Sequence, residues 1–173
     1  TLAHYRRRRA AQLRSNRSLQ RLRDLPAVTK DGVRVSLQAN IELPSDIEQC
    51  RVAGAEGVGL LRTEYLFMNR QDLPDEEEQI ASIREVLEGL PSGEVTVRTL
   101  DVGGEKIASA LGRHIAEAAN PALGLRAVRL SLRVPELLET QLSAALRADG
   151  GGRLRILLPM IVNVEEIRLV RQM

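Results

Sequence analysis

Aromatic side chains are nearly missing from this 173-residue chain: there is no tryptophan, and Phe and Tyr together make up 2%. Tyr5, Tyr65 and Phe67 are too few to build a stacking platform for single-stranded nucleic acid, so base-reading functions are disfavoured. A single cysteine, Cys50, excludes an internal disulfide framework and fits a reducing cytosol. It falls on the apolar side of an expected helix with Ile47 and Ala53, as core filler rather than nucleophile. No run approaches the roughly 20 apolar residues that a spanning helix needs, and the charged start lacks the apolar core of a secretory signal. These absences point to a soluble, cytoplasmic protein without a membrane partner. His4 and His114 stand apart from any nucleophile or acid, and no spacing of His, Cys or acids suits zinc.

Charge is present but unevenly placed. Residues 1–24 hold eight arginines against one acid, Asp24, a net of +7; the whole chain carries +2, which leaves the remainder at −5. The leading segment reads as a helix over residues 1–24, broken by Asp24-Leu-Pro26, with Leu13, Leu19, Leu22 and Leu25 only loosely sharing a face. Its Arg6–Arg9 run fits either a solvated helix joining this unit to something upstream or a basic arm for nucleic acid or a protein partner.

Beyond Pro26 strands and helices alternate. Val33, Val35, Leu37 and Ala39 alternate with polar residues, predicting a strand over 33–40. Pro44-Ser-Asp46 opens a short helix to Ala53, closed by Gly54. Gly57–Leu61 is a second strand, Pro74–Glu88 a helix with acids in its first turn, and Val95–Leu100 a third strand. A long irregular stretch leads to a helix around Leu125–Leu132. Pro135 then starts another, with Leu137, Leu138, Leu142, Ala145 and Leu146 on one side. Leu154–Leu158 is the fourth strand, and Val164–Gln172 the last helix. The fold class is α/β, with parallel strands joined by right-handed crossovers. About four units of a (β/α)8 TIM-type barrel are expected over residues 25–173, because residues suited to a ligand stand at several strand ends. Such a half-barrel has open edges and is expected to pair with its missing half or with a second copy.

Arg62 comes directly after the second strand and Arg98 lies within the third toward its end, each followed by Thr and, within three residues, by an acid. Ligands of α/β proteins sit at the carboxyl ends of strands, and a guanidinium there suits a phosphate or carboxylate. The alternative pairs Arg62 with Glu64 or Asp101, and Arg98 with Asp101, as structural salt bridges. Gly103-Gly104-Glu105-Lys106 could bring backbone N–H groups to a phosphate with Lys106 as a point charge, although it is neither a Walker loop nor a dinucleotide fingerprint. Arg126 and Arg129 follow the Asn120-Pro-Ala-Leu-Gly-Leu loop one helical turn apart, so that one can face a ligand while the other pairs with an acid.

Five segments occur in an order that resembles one family: residues 54–68, Leu73-Pro-Asp-Glu-Glu-Glu-Gln79, Val97-Arg-Thr-Leu-Asp-Val-Gly-Gly-Glu-Lys106, Asn120-Pro-Ala-Leu-Gly-Leu-Arg-Ala-Val-Arg129 and Leu158-Pro-Met-Ile161. They resemble the first half of the phosphoenolpyruvate-binding barrel of enzyme I of the bacterial phosphotransferase system. Pyruvate phosphate dikinase and phosphoenolpyruvate synthase share that barrel with less similar wording. The resemblance implies that Arg62 and Arg98 bind the phosphate of phosphoenolpyruvate, with Arg126 near the substrate, and that residues 1–24 are the connector helix. It also implies a magnesium ion (Mg2+) bridging phosphate and carboxylate, transfer to a histidine on a separate domain, and onward transfer to a histidine-containing phosphocarrier protein that serves sugar uptake or nitrogen regulation. A homodimer is expected, and nucleic acid is not. The family's metal-binding acids, Asn-Asp pair and proton-donating cysteine would follow beyond Met173. Cys50 lies in the wrong unit to be that cysteine, and neither histidine has the setting of the phosphorylated one. The segment is therefore expected to be inactive alone. Glu105 replaces the usual Asp, and Ile107–Ala119 departs from the family's Leu-Pro-rich loop.

Overall fold

Residues 44–62 show how this sequence builds one unit. Pro44–Asp46 forms a 3-10 turn whose Asp46 accepts hydrogen bonds from the N–H groups of Glu42 and Leu43. Helix α2 (Ile47–Ala53) follows and ends at Gly54, whose φ of 79° and close contact with Arg23 leave no room for a side chain. The chain then enters strand β2 (Val58–Arg62). In the computed structural model, which describes residues 2–68, 70–90, 92–107, 110–111, 119–120 and 123–173 apart from the side chain of Glu105, this pattern repeats.

The strands are β1 (Ala39–Ile41), β2, β3 (Val95–Arg98) and β4 (Leu154–Leu157), all parallel and in the order β1-β2-β3-β4. The helices, besides α2, are α1 (Leu2–Gln20), α3 (Glu76–Gly89), α4 (Gly104–Ile107), α5 (Ala127–Arg133), α6 (Pro135–Ala148) and α7 (Val164–Val170). Val58, Leu61, Val95 and Val97 pack on one sheet face against Ile47 and Cys50 of α2, Ile80, Ile83 and Val86 of α3, and Ala144 and Ala145 of α6. The burial of these apolar side chains is the main driving force for this layer. Cys50 is buried filler, and burial pushes its thiol up. A second cluster of Phe67, Leu100, Val102, Ile107, Leu130 and Leu137 lies beyond the strand ends. A four-stranded parallel sheet with helices on one face is the arrangement of a partial (β/α)8 barrel.

Three expectations need correction. Residues 33–38 are not a sheet strand: Val33, Val35 and Leu37 are exposed. Their alternation belongs instead to a small turn, with Val28 bridging Arg34 and the Val35 N–H donating to Ala27 at 2.8 Å. The strand begins only at Ala39, whose N–H reaches Gly57 O. Leu146 is exposed, and the buried stripe of α6 runs through Gln141 instead. Helix α1 stops at Gln20 rather than residue 24 and buries none of its residues. Among the described residues no helix is long and apolar enough to cross a membrane. Asp75 caps α3 by accepting from Glu78 N at 2.8 Å. The acids behind it pair with Arg147 and Arg70.

Candidate phosphate-binding site at the strand ends

Arg62 and Arg98 are register partners on adjacent parallel strands, which places their backbones roughly 4.8 Å apart. Both stand on the face away from the helices, because their neighbours Leu61 and Val97 are buried in the core. For Arg62 this depends on an irregularity. Val58 and Leu61, three positions apart, both face the core, whereas a regular strand alternates with period two. The extra residue is Gly59, which has no partner on β1 or β3, a one-residue bulge that resets the phase of the strand. A Cβ at Gly59 would stand 3.1 Å from that of Gln38, so the bulge is held close to the chain entering β1.

Each arginine has carboxylate company. Arg98 Nη2 donates to Glu64 Oε1 at 2.8 Å, and its Nη1 lies 3.5 Å from Asp101 Oδ2. Glu64 Oε1 also accepts the Asp101 N–H at 3.0 Å. Arg126 donates to Asp101 Oδ1 from Nη2 at 2.9 Å and from Nε at 3.1 Å. Arg62 turns the other way, to Glu42 and, at 3.3 Å, to Asn40 Oδ1. The pairing of Arg98 with Asp101 is thus present, and that of Arg62 with Glu64 or Asp101 is not. The 3-10 turn Glu64–Phe67 carries Glu64 toward β3, while Glu42, the residue directly after the edge strand β1, reaches Arg62. Three arginines face three acids, so the site is neutral as it stands and an incoming anion has to displace carboxylates.

Two atoms of this network are buried without a hydrogen-bond partner, Arg98 Nε and Glu64 Oε2. An unpaired buried donor is costly, and Arg98 Nε is the one that an anion's oxygen would satisfy. Next to Arg126, the buried Ala127 adopts a φ of 51°. That is a left-handed conformation rare outside glycine, of the kind that accumulates at ligand sites. Arg129 does not face the site: its Nη1 donates to Leu123 O at 2.7 Å and ties down the preceding loop. Two N–H groups of the expected cradle at Gly103–Lys106 are already used, since Gly104 N donates to Leu125 O and Lys106 N to Gly103 O. The Lys106 side chain is exposed, with no ion-pair partner among the described residues. Pro121, Ala122 and His114 lie outside the described residues.

The resemblance implies a magnesium ion, which takes oxygen ligands in octahedral geometry. Among the described residues no three His, Cys, Asp or Glu converge to hold a metal; Glu64 Oε1 and both Asp101 carboxylate oxygens lie against guanidinium groups, which leaves only Glu64 Oε2 unengaged. These residues do not fit a magnesium cage.

Residues 16–173 match the family model of the phosphoenolpyruvate-binding domain of PEP-utilising enzymes. The chain belongs to this family. It is 47% identical to the phosphoenolpyruvate-protein phosphotransferase of Cupriavidus necator over 167 residues, covering 96% of this chain and 28% of that protein. The protein of the same name from Staphylococcus carnosus is 44% identical over 167 residues, 96% of this chain and 29% of its own length. That of Haemophilus influenzae is 46% identical over 150 residues, 87% of this chain and 26% of its own length. The chain therefore spans under a third of these curated relatives. Within this PEP-binding domain the strand-end arginines were legible beforehand. Glu42, Asn40, Thr63 and Gln141 were not, although Gln141 left one signal: a polar residue in the apolar stripe of an otherwise amphipathic helix.

Proposed function

We propose that Arg62, Arg98 and Arg126 form the anion-holding part of a phosphoenolpyruvate site, and that this domain serves a phosphoenolpyruvate–protein phosphotransferase. In that reading the protein moves phosphate from phosphoenolpyruvate to its own histidine and then to a histidine-containing phosphocarrier protein. The observation that carries it is the register pairing of Arg62 with Arg98 on the open sheet face, with the unpaired Arg98 Nε beside them. Two arginines on backbones that close can both bring guanidinium groups to the oxygens of one phosphate, to which arginine binds in bidentate fashion. Magnesium would find its ligands outside the described residues. The free edges of β1 and β4 would pair with further barrel strands, with a second copy completing a homodimer.

Two charge-assisted contacts contribute roughly 1.5–3 kcal/mol each. Ordering a small ligand costs on the order of 4 kcal/mol or more. Phosphoenolpyruvate is thus expected to bind this segment alone at millimolar levels at best, without phosphoryl transfer. The test is calorimetric titration with phosphoenolpyruvate, comparing the unsubstituted chain with Arg98→Ala and with Arg84→Ala, an arginine on α3 that donates to Arg147 O. Arg98→Ala is expected to weaken binding at least tenfold, about 1.4 kcal/mol, and Arg84→Ala to leave it unchanged. Equal binding by Arg98→Ala would end this reading.

A further inference from the structure

Gln141 is the polar member of the buried stripe of α6, among Leu137, Leu138, Ala144, Ala145 and Ala148, and is only 4% exposed. Its side chain spans the two strand ends that carry the arginines. Oε1 accepts the Leu100 N–H at 2.9 Å, and Nε2 donates to Thr63 Oγ1 at 3.3 Å. Thr63, itself buried, donates a hydrogen bond from its hydroxyl to the Arg98 carbonyl at 2.8 Å. A single amide orientation serves both partners: the Leu100 N–H can only donate, and the Thr63 hydroxyl has already spent its one proton. The relay touches the backbone directly after Arg62, at Arg98 itself, and directly before Asp101, the acid shared by Arg98 and Arg126.

We infer that Gln141, acting through Thr63, is a positioning residue that sets the spacing of Arg62 and Arg98 and thereby the affinity of the site for the phosphate of phosphoenolpyruvate; this rests on the function proposed above. A core helix needs no glutamine at such a position. An apolar residue would pack there equally well, but it would leave the Leu100 N–H and the Thr63 hydroxyl without their helix partner. Arg62 is one backbone link from the relay and Arg98 is part of it, so a shift of the strand ends passes into the separation of the guanidinium groups. Binding constellations tolerate only about 0.5 Å of such error.

The test uses the full chain with Gln141→Leu, Thr63→Val, Thr63→Ser, and Gln79→Leu as a control. Gln79 is equally buried and donates to Pro74 O at 3.1 Å on α3, away from the relay. Phosphoenolpyruvate affinity is measured by calorimetry beside the thermal midpoint. Gln141→Leu and Thr63→Val are expected to weaken binding about tenfold, while Thr63→Ser, which keeps the hydroxyl, stays within about threefold. Gln79→Leu is expected to lose comparable thermal stability and keep its affinity within about twofold. If Gln141→Leu does not fold, the Thr63→Val and Thr63→Ser pair decides the matter. Native affinity in Thr63→Val, or a loss in Gln79→Leu as large as in Gln141→Leu, overturns the positioning role. Should Arg98→Ala weaken binding while both relay variants bind normally, only this inference falls; should Arg98→Ala bind normally, the phosphoenolpyruvate reading falls first.

Discussion

The two ends of the sheet use arginine in different ways. At the amino end, Arg153 leads into β4 and donates to three backbone carbonyls: Leu90 O at 2.6 Å, Leu87 O at 3.1 Å and Gly93 O at 3.4 Å. At the carboxyl end, Arg62, Arg98 and Arg126 are met by the side chains of Glu42, Glu64 and Asp101. A carbonyl at the end of a helix can neither rotate away nor take up a proton, so Arg153 is a fixed staple across α3 and the strands. A carboxylate on a side chain can do both, so the arginines opposite can exchange partners for a ligand. Barrel enzymes divide labour the same way, with stability at the amino ends of the strands and chemistry at the carboxyl ends. The ion pairs Arg155–Glu94 and Arg34–Glu56, also near the amino end, are exposed and contribute little.

Breaking the staple is expected to have the largest effect. Arg153→Met keeps the aliphatic stem but leaves the last carbonyls of α3 without their donor, groups that a helix end cannot satisfy internally. A loss of about 2–4 kcal/mol is expected in urea unfolding, with phosphoenolpyruvate affinity unchanged within about twofold. An unaltered urea midpoint, or a matching loss of affinity, would erase the distinction between the ends.

A smaller effect is expected at Asp149, which closes the turn before β4. Burial pushes its carboxyl up, yet the N–H groups of Arg153, Leu154, Gly151 and Gly152 outweigh burial and hold it below the usual carboxylate range. Because the folded value is depressed, the stabilisation is fully present above the unfolded carboxylate value of roughly 4. It is lost as pH falls through the folded value. Asp149→Asn is expected to cost about 1 kcal/mol at neutral pH and to flatten the acid side of the stability profile, measured as urea midpoint against pH. An acid limb unchanged in Asp149→Asn would remove this carboxylate from the account of the amino end.

The same contrast explains what could be read in the sequence. Apolar runs bounded by Gly and Pro gave the order of βα units, since burying Val58, Leu61, Val95 and Val97 leaves the chain few alternatives. Residues 33–38 misled because exposed backbone in extended conformation also alternates; only Ala39 onward finds a strand partner. The strand-end arginines were legible as anion binders or salt bridges, and in the structure they make salt bridges. Apart from Asp101 beside Arg98, their partners were not legible. Glu42 reaches Arg62 from 20 residues away, and Gln141 reaches Thr63 from 78, separations that no local pattern encodes. The Gly59 bulge was hidden for a related reason, because Val-Gly-Leu-Leu-Arg reads as a plain strand until its neighbours show which residue is extra.

The smallest change in stability, and the sharpest test of exchangeability, is expected at Glu42. It pairs with Arg62 on the more open side of the site, with side-chain exposures of 52% for Glu42 and 40% for Arg62, so the pair itself is worth less than about 1 kcal/mol. Glu42→Gln keeps the shape and a hydrogen-bond acceptor but removes the charge that an incoming phosphate must oppose. The urea midpoint is expected to stay nearly fixed, while phosphoenolpyruvate and inorganic phosphate bind several-fold more tightly. Adding salt should shrink the gain, because charges at an exposed site are screened over roughly 10 Å at 0.1 M. The amide substitution at Glu56, whose partner Arg34 lies at the other end, should leave anion affinity unchanged. If Glu42→Gln binds anions more weakly, Glu42 is holding Arg62 in its binding geometry instead of competing for it, and the carboxyl end would then be as fixed as the end stapled by Arg153.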